Sequence, residues 1–157
     1  FSPKHSKRGT SSGMTDLNYK FTNASKAIKS FDKAYKFYQE EIPKLELVNK
    51  ADLILITRDS VIQRFEYSTE LLWKLVYAFL QDRHGNGFSA SPKNTFRDAF
   101  KAKIISEQDA ELAIEMINDR NNTAHNYKEE IAQTLLKRIP IYLKLMKKIL
   151  RDIEQEL

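Results

Sequence analysis

The chain has 157 residues, 41% hydrophobic and 11% aromatic, which is enough for one substantial core and too little for two. It contains no cysteine, which excludes a disulfide framework, a thiolate metal site and a cysteine nucleophile. The formal charge of +5 gathers at one end: removing Lys4, Lys7 and Arg8 from the 26 cations leaves 23 against 21 acids, about +2, too weak a field to steer nucleic acid globally.

Residues 1–13 are rich in Ser, Gly and Lys, hold no acid and precede Met14, so a disordered tail or tag remnant is expected there, followed by a single domain over 14–157. No run approaches the ~20 apolar residues of a spanning helix, and the expectation is a soluble cytoplasmic protein that avoids the membrane. With only four Gly and four Pro, and apolar residues recurring at helical spacing, the predicted fold is all-α, an antiparallel up-and-down bundle of about five helices.

Ala24, Ala27, Ile28, Phe31, Ala34, Tyr35 and Tyr38 step by three and four, which predicts a first helix over 23–40, with Pro43 just past its end. Val61, Phe65, Ser68, Leu72, Val76 and Phe79 mark a second helix, beginning between Asp52 and Asp59 and stopping near His84 at Gly85-Asn86-Gly87. Ser91-Pro92 reads as an N-cap with proline at the first helical position, opening a short helix that carries Phe96, Ala99 and Phe100. Ser106 and Asp109 have capping-box spacing ahead of a fourth helix striped by Ala110, Ala113, Ile114 and Ile117. The fifth, over 129–154, shows Ile131, Leu135, Ile139, Tyr142, Met146, Ile149 and Ile153 on one face for roughly 38 Å. Pro140 should kink it without ending it, because the apolar period stays in phase on both sides.

The segment Asp119-Arg120-Asn121-Asn122-Thr123-Ala124-His125-Asn126-Tyr127 sets a dense run of polar groups after a clean amphipathic stripe. Arg120 and His125 are five apart, about 140° round an ideal helix and roughly 7.5 Å along it, so they share a face only if the helix frays or the arginine bends across. A planar, permanently charged guanidinium suits phosphate, and imidazole exchanges protons near neutral pH, which points to phosphodiester chemistry. A complete acid–base cycle needs two proton-transfer groups, and a symmetric dimer would supply the second. From spacing alone, capping of the last carbonyls is the commoner role for such an Arg and His. Glu66, Glu70 and Lys74 repeat every four residues beside Trp73 and are expected to form exposed pairs rather than line a cleft. Lys26, Lys29, Lys33 and Lys36, like Lys137, Lys144, Lys148 and Arg151, read as solvated cationic faces. No glycine-rich phosphate loop or zinc-ligand spacing occurs, so neither a metal nor a cofactor is expected.

The run Val61-Ile62-Gln63-Arg64-Phe65-Glu66-Tyr67-Ser68-Thr69-Glu70-Leu71-Leu72-Trp73-Lys74 resembles the second-helix signature of the nucleotidyltransferase substrate-binding proteins, a branch of the HEPN superfamily. Ser91-Pro92, Phe96 through Ala102, Asp119 through Tyr127 and Ile139-Pro140-Ile141-Tyr142 resemble that family's later blocks, in the same order. The resemblance implies a homodimeric helical bundle encoded beside a minimal nucleotidyltransferase. It also implies a metal-independent ribonuclease toxin with Arg120 and His125 as catalytic groups and RNA as substrate; the adjacent Asn121 and Asn122 read as supporting residues. Related toxins carrying a tyrosine two places after the histidine are silenced when the antitoxin adds AMP to it, and the matching residue is Tyr127. An older reading of the branch makes it a non-catalytic subunit that presents substrate to the nucleotidyltransferase, and a purely structural helical dimer is the third alternative.

Overall fold

A computed structural model describes residues 2–125 and 128–157, with side chains from residue 16 onward. The described residues form five α-helices and no strand: α1 (Ser2–Lys36), α2 (Lys50–His84), α3 (Pro92–Lys101), α4 (Glu107–His125) and α5 (Glu129–Glu154). The first helix therefore starts well before residue 23, and its amphipathic stripe occupies only its later half. At its end the ladder loosens into one π turn (Phe37–Glu41) and a 3₁₀ turn (Ile42–Lys44). Pro43 has no N–H to continue an α ladder, and Ile42, 1% exposed, pins the corner to the core. The second helix begins at Lys50, earlier than the sequence indicated.

The remaining boundaries follow from local chemistry. Gly85, at φ +82°, takes the left-handed backbone that closes α2 while its N–H bonds the Gln81 carbonyl at 2.9 Å. Ser91 is extended, and its carbonyl accepts from the Thr95 N–H at 2.9 Å; Pro92 then opens α3, although the serine hydroxyl makes no capping bond. Ahead of α4 the Ser106 hydroxyl accepts from the Asp109 N–H at 3.1 Å, which is half of the expected capping box. The end of α3 was not legible, because a lysine takes the place usual for glycine. Lys103 sits at φ +64°, and its N–H reaches the Phe100 carbonyl while that of Ile104 reaches Ala99, the paired bonds of a Schellman motif.

Helix α2 is the central element and packs against the other four helices. Through the middle of the core runs a column of rings: Phe31 of α1 lies 5.9 Å from Phe65 of α2, and Phe65 lies 5.7 Å from Tyr142 of α5, each fully buried. Burying each such side chain stabilises the fold by about 1.5–3 kcal/mol, so the column fixes how α5 sits on the α1–α2 pair. Pro140 lies inside α5 without ending it. On the short α3, Phe96 and Ala99 are buried together with Thr95, whereas Phe100 is 41% exposed.

Candidate functional site

Asp119 and Arg120 are consecutive on α4, so about 100° of helix rotation sends them to different neighbours. Asp119, 9% exposed, turns toward α5. Its carboxylate accepts two bonds from Nη1 of Arg138, at 3.0 and 2.9 Å, and a short one from the Tyr142 hydroxyl. Glu115, one turn earlier on α4, also meets Arg138 at 3.2 Å. Burial, reinforced by the Asp119 carboxylate, pushes the Tyr142 phenol far above its ordinary pKa, so it stays a donor at any ordinary pH. The Asp119 carboxylate raises the Arg138 pKa.

Arg120 turns toward α2. Its Nη2 lies 3.6 Å from a carboxylate oxygen of Glu70, and that same carboxylate accepts from the Trp73 indole N–H at 2.9 Å. Its Nη1 makes a long contact, 3.4 Å, with the side-chain oxygen of Asn121, whereas Nε is buried with no hydrogen-bond partner among the described residues. One turn further along α4, the Thr123 hydroxyl lies 2.8 Å from Glu66 and 3.0 Å from the Arg120 carbonyl. A single hydroxyl proton serves one of these acceptors at a time. The Arg120 side chain as a whole is about one-third exposed, so part of it is reachable by a ligand.

The expected residues thus fall into two groups. Arg120, Asn121, Glu66 and Glu70 are brought together, and the two glutamates engage α4 instead of pairing along their own helix with Lys74, which correction follows from their lying on the α4-facing flank of α2. His125 is the exposed last residue of α4. The helix stays intact from Arg120 to His125, so the fraying that would let the two share a face does not occur. Asn122 is exposed and borders a different recess, with Asp119, Glu130 and Arg138. Asn126 and Tyr127 lie outside the described residues.

Two supporting groups escaped the sequence reading. The Asp119–Arg138–Tyr142 network was signalled by a tyrosine inside an otherwise aliphatic stripe, whose buried hydroxyl requires a partner. The second is Arg58, 6% exposed, whose Nη1 reaches both carboxylate oxygens of Glu129 at 2.7 and 2.8 Å. Donors from Gln133 and then Arg58 hold the Glu129 carboxyl below its ordinary pKa. The pair anchors the first residue of α5 to α2, where a carboxylate also suits the positive end of the helix. Its signal was available, because Arg58 falls on the same helical face as Val61, Ile62 and Phe65.

The family described as "Nucleotidyltransferase substrate binding protein like" matches residues 19–155. A crystal structure from Thermus thermophilus is 32% identical, covering 81% of this chain and 95% of that one with a TM-score of 0.65. A chain of the toxin–antitoxin MntA–HpeT complex is 15% identical over 88% of this chain and 97% of that one, with a TM-score of 0.67. The structure of a tri-AMPylated HEPN toxin from Shewanella oneidensis in complex with MNT antitoxin is 16% identical over 88% of this chain and 96% of the matched chain, with a TM-score of 0.63. At such identities the last two likenesses concern the fold. No curated protein matches the chain.

Proposed function

This chain belongs to the nucleotidyltransferase substrate binding protein-like family, and from that premise we propose that it is a HEPN-type ribonuclease toxin neutralised by a minimal nucleotidyltransferase. The observation that carries the reading is Arg120, a partly exposed side chain held in place by Glu70 and Asn121, five residues from an exposed His125 at the end of the same helix. In the reaction the ribose 2′-oxygen forms a bond to phosphorus and the bond to the 5′-oxygen breaks, giving a cyclic phosphate and a free 5′-hydroxyl. His125 takes the 2′-hydroxyl proton, and in a homodimer the His125 of a second copy donates one to the leaving oxygen. Arg120 offsets the charge that builds on the phosphoryl oxygens.

Silencing follows from charge and bulk. An AMP group on Tyr127, two residues beyond His125, brings a phosphodiester anion that competes for Arg120 and obstructs His125 together. The test uses purified wild-type protein and a single-stranded RNA in the presence of EDTA. Cleavage is expected, falling at least about 100-fold in Arg120→Ala and His125→Ala while both variants melt within a few degrees of wild type. Co-expression with the nucleotidyltransferase should add AMP to wild type and abolish cleavage, leaving Tyr127→Phe unmodified and active. A wild-type protein that binds the nucleotidyltransferase yet cleaves no RNA would transfer the assignment to a non-catalytic substrate-presenting subunit.

A further inference from the structure

A second candidate site lies between α1 and α2, away from Arg120. Around α2, Arg64 is about 120° from Glu70, so the two face different neighbours. The groove there encloses about 730 Å³. Its rim carries Lys26, Lys29 and Lys33 from α1 and Arg64 from α2, and no carboxylate lines it. The lysine stripe that reads as a solvated face in the sequence is therefore one wall of a groove whose opposite wall is also basic.

The partners of these cations are informative. Lys36, the fourth member of the stripe, pairs with Asp32, whereas Lys26, Lys29 and Lys33 have no acidic partner among the described residues. Arg64 is held by hydroxyls alone: its Nε donates to Ser30 at 3.0 Å and its Nη1 to Ser60. These bonds fix the guanidinium without neutralising it, which leaves four uncompensated positive charges around one concavity. Its lining also includes apolar side chains, Phe37 at 45% exposure and Ile56 at 67%.

We propose that this groove binds the backbone of single-stranded RNA, as a site separate from the Arg120–His125 chemistry. A polymer that carries one negative charge per repeat with flat apolar bases between the charges matches spaced cations beside an exposed ring. From Lys26 to Phe37 the α1 wall runs roughly 16 Å, room for about three extended nucleotides. An acidic protein segment would satisfy the lysines but does not set a flat ring beside every charge, as RNA does, so RNA is the occupant the groove favours.

The test measures binding of a fluorescent, uncleavable 2′-O-methyl oligoribonucleotide to the full chain, so absence of catalysis does not affect it. Four phosphate contacts give a slope of log affinity against log salt of about −2.8, or roughly a 50-fold loss between 0.05 and 0.2 M. Lys29→Glu/Lys33→Glu should cut the affinity at low salt at least 10-fold and reduce the slope to about −1.4 or shallower. A control with the same change in net charge, Lys137→Glu/Lys144→Glu on α5, should stay within about 2-fold of wild type. Phe37→Ala should lose about 5-fold or more through stacking. Equal losses in the two charge-reversal variants would overturn the proposal, since net charge would then explain binding. So would a polyglutamate peptide that binds the groove more tightly than the RNA, which would mark an acidic protein partner instead.

Discussion

Replacing Asp119 with alanine removes the acceptor that Arg138 and Tyr142 share, and the cost can be worked from burial. Tyr142 is 0% exposed, so its hydroxyl proton loses its acceptor inside the core, a penalty of about 1–3 kcal/mol. Arg138 is 40% exposed and recovers water, so its lost ion pair adds about 1 kcal/mol at most. The expected destabilisation is therefore about 1–4 kcal/mol, or roughly 2–16 °C in Tm for a domain of this size. Tyr142→Phe alone forfeits one bond and should cost about 1 kcal/mol. In the double variant no orphan hydroxyl remains, so adding Tyr142→Phe to Asp119→Ala should cost nothing or restore some stability. Urea unfolding followed by circular dichroism, with an unchanged m value, gives the cycle directly. A loss below about 1 kcal/mol for Asp119→Ala, or the same cost for Tyr142→Phe in both backgrounds, would show that the network does not hold α4 against α5.

The same tyrosine predicts alkaline behaviour: its folded pKa lies above the unfolded value, so its contribution is complete below about pH 10 and is lost as pH rises further, by up to about 1.4 kcal/mol per unit. Melting curves from pH 8 to 11 should fall more steeply for wild type than for Tyr142→Phe. At the end of α3, Lys103→Gly relieves the left-handed backbone at φ +64° and should raise stability by up to about 1 kcal/mol, whereas Lys103→Val should lower it, both read from Tm.

Most of the fold was legible because each apolar stripe has one dominant period. The stretch 129–154 is a helix throughout, since Ile139, Tyr142 and Met146 keep their phase across Pro140 and tertiary packing outweighs the one missing bond. The start of α2 was obscure because Lys50 to Ile56 is a mixed run in which Leu55 and Ile56 are exposed, so no stripe announces it. At the candidate site, the sequence identified Arg120 but not its partner. Whether Glu70 pairs with Lys74 or with Arg120 depends on which flank of α2 faces α4, which is a tertiary relation that spacing along one helix does not contain. Arg58 was hidden for the opposite reason, because arginine in a core stripe is easily taken for a surface residue until its carboxylate is seen 2.7 Å away on another helix.

The charge balance around Arg120 bears on how the proposed ribonuclease would have to be assembled. Within one protomer, Arg120 pairs with Glu70, and Glu66 bonds Thr123 one turn further along α4, so these three charged groups sum to −1. A phosphodiester is also an anion, and placing it there alone sets it against a field of its own sign. His125 does not redress this locally, because an unbroken α4 keeps it about 140° round the axis from Arg120. A two-fold contact that sets two α4 ends side by side changes both terms. The His125 of one copy can approach the Arg120 of the other without fraying either helix, and two guanidiniums can converge on one phosphate. In the proposed dimer Glu70 would be a positioning residue for Arg120, and the negative cluster would accommodate the proposed substrate only in the paired state.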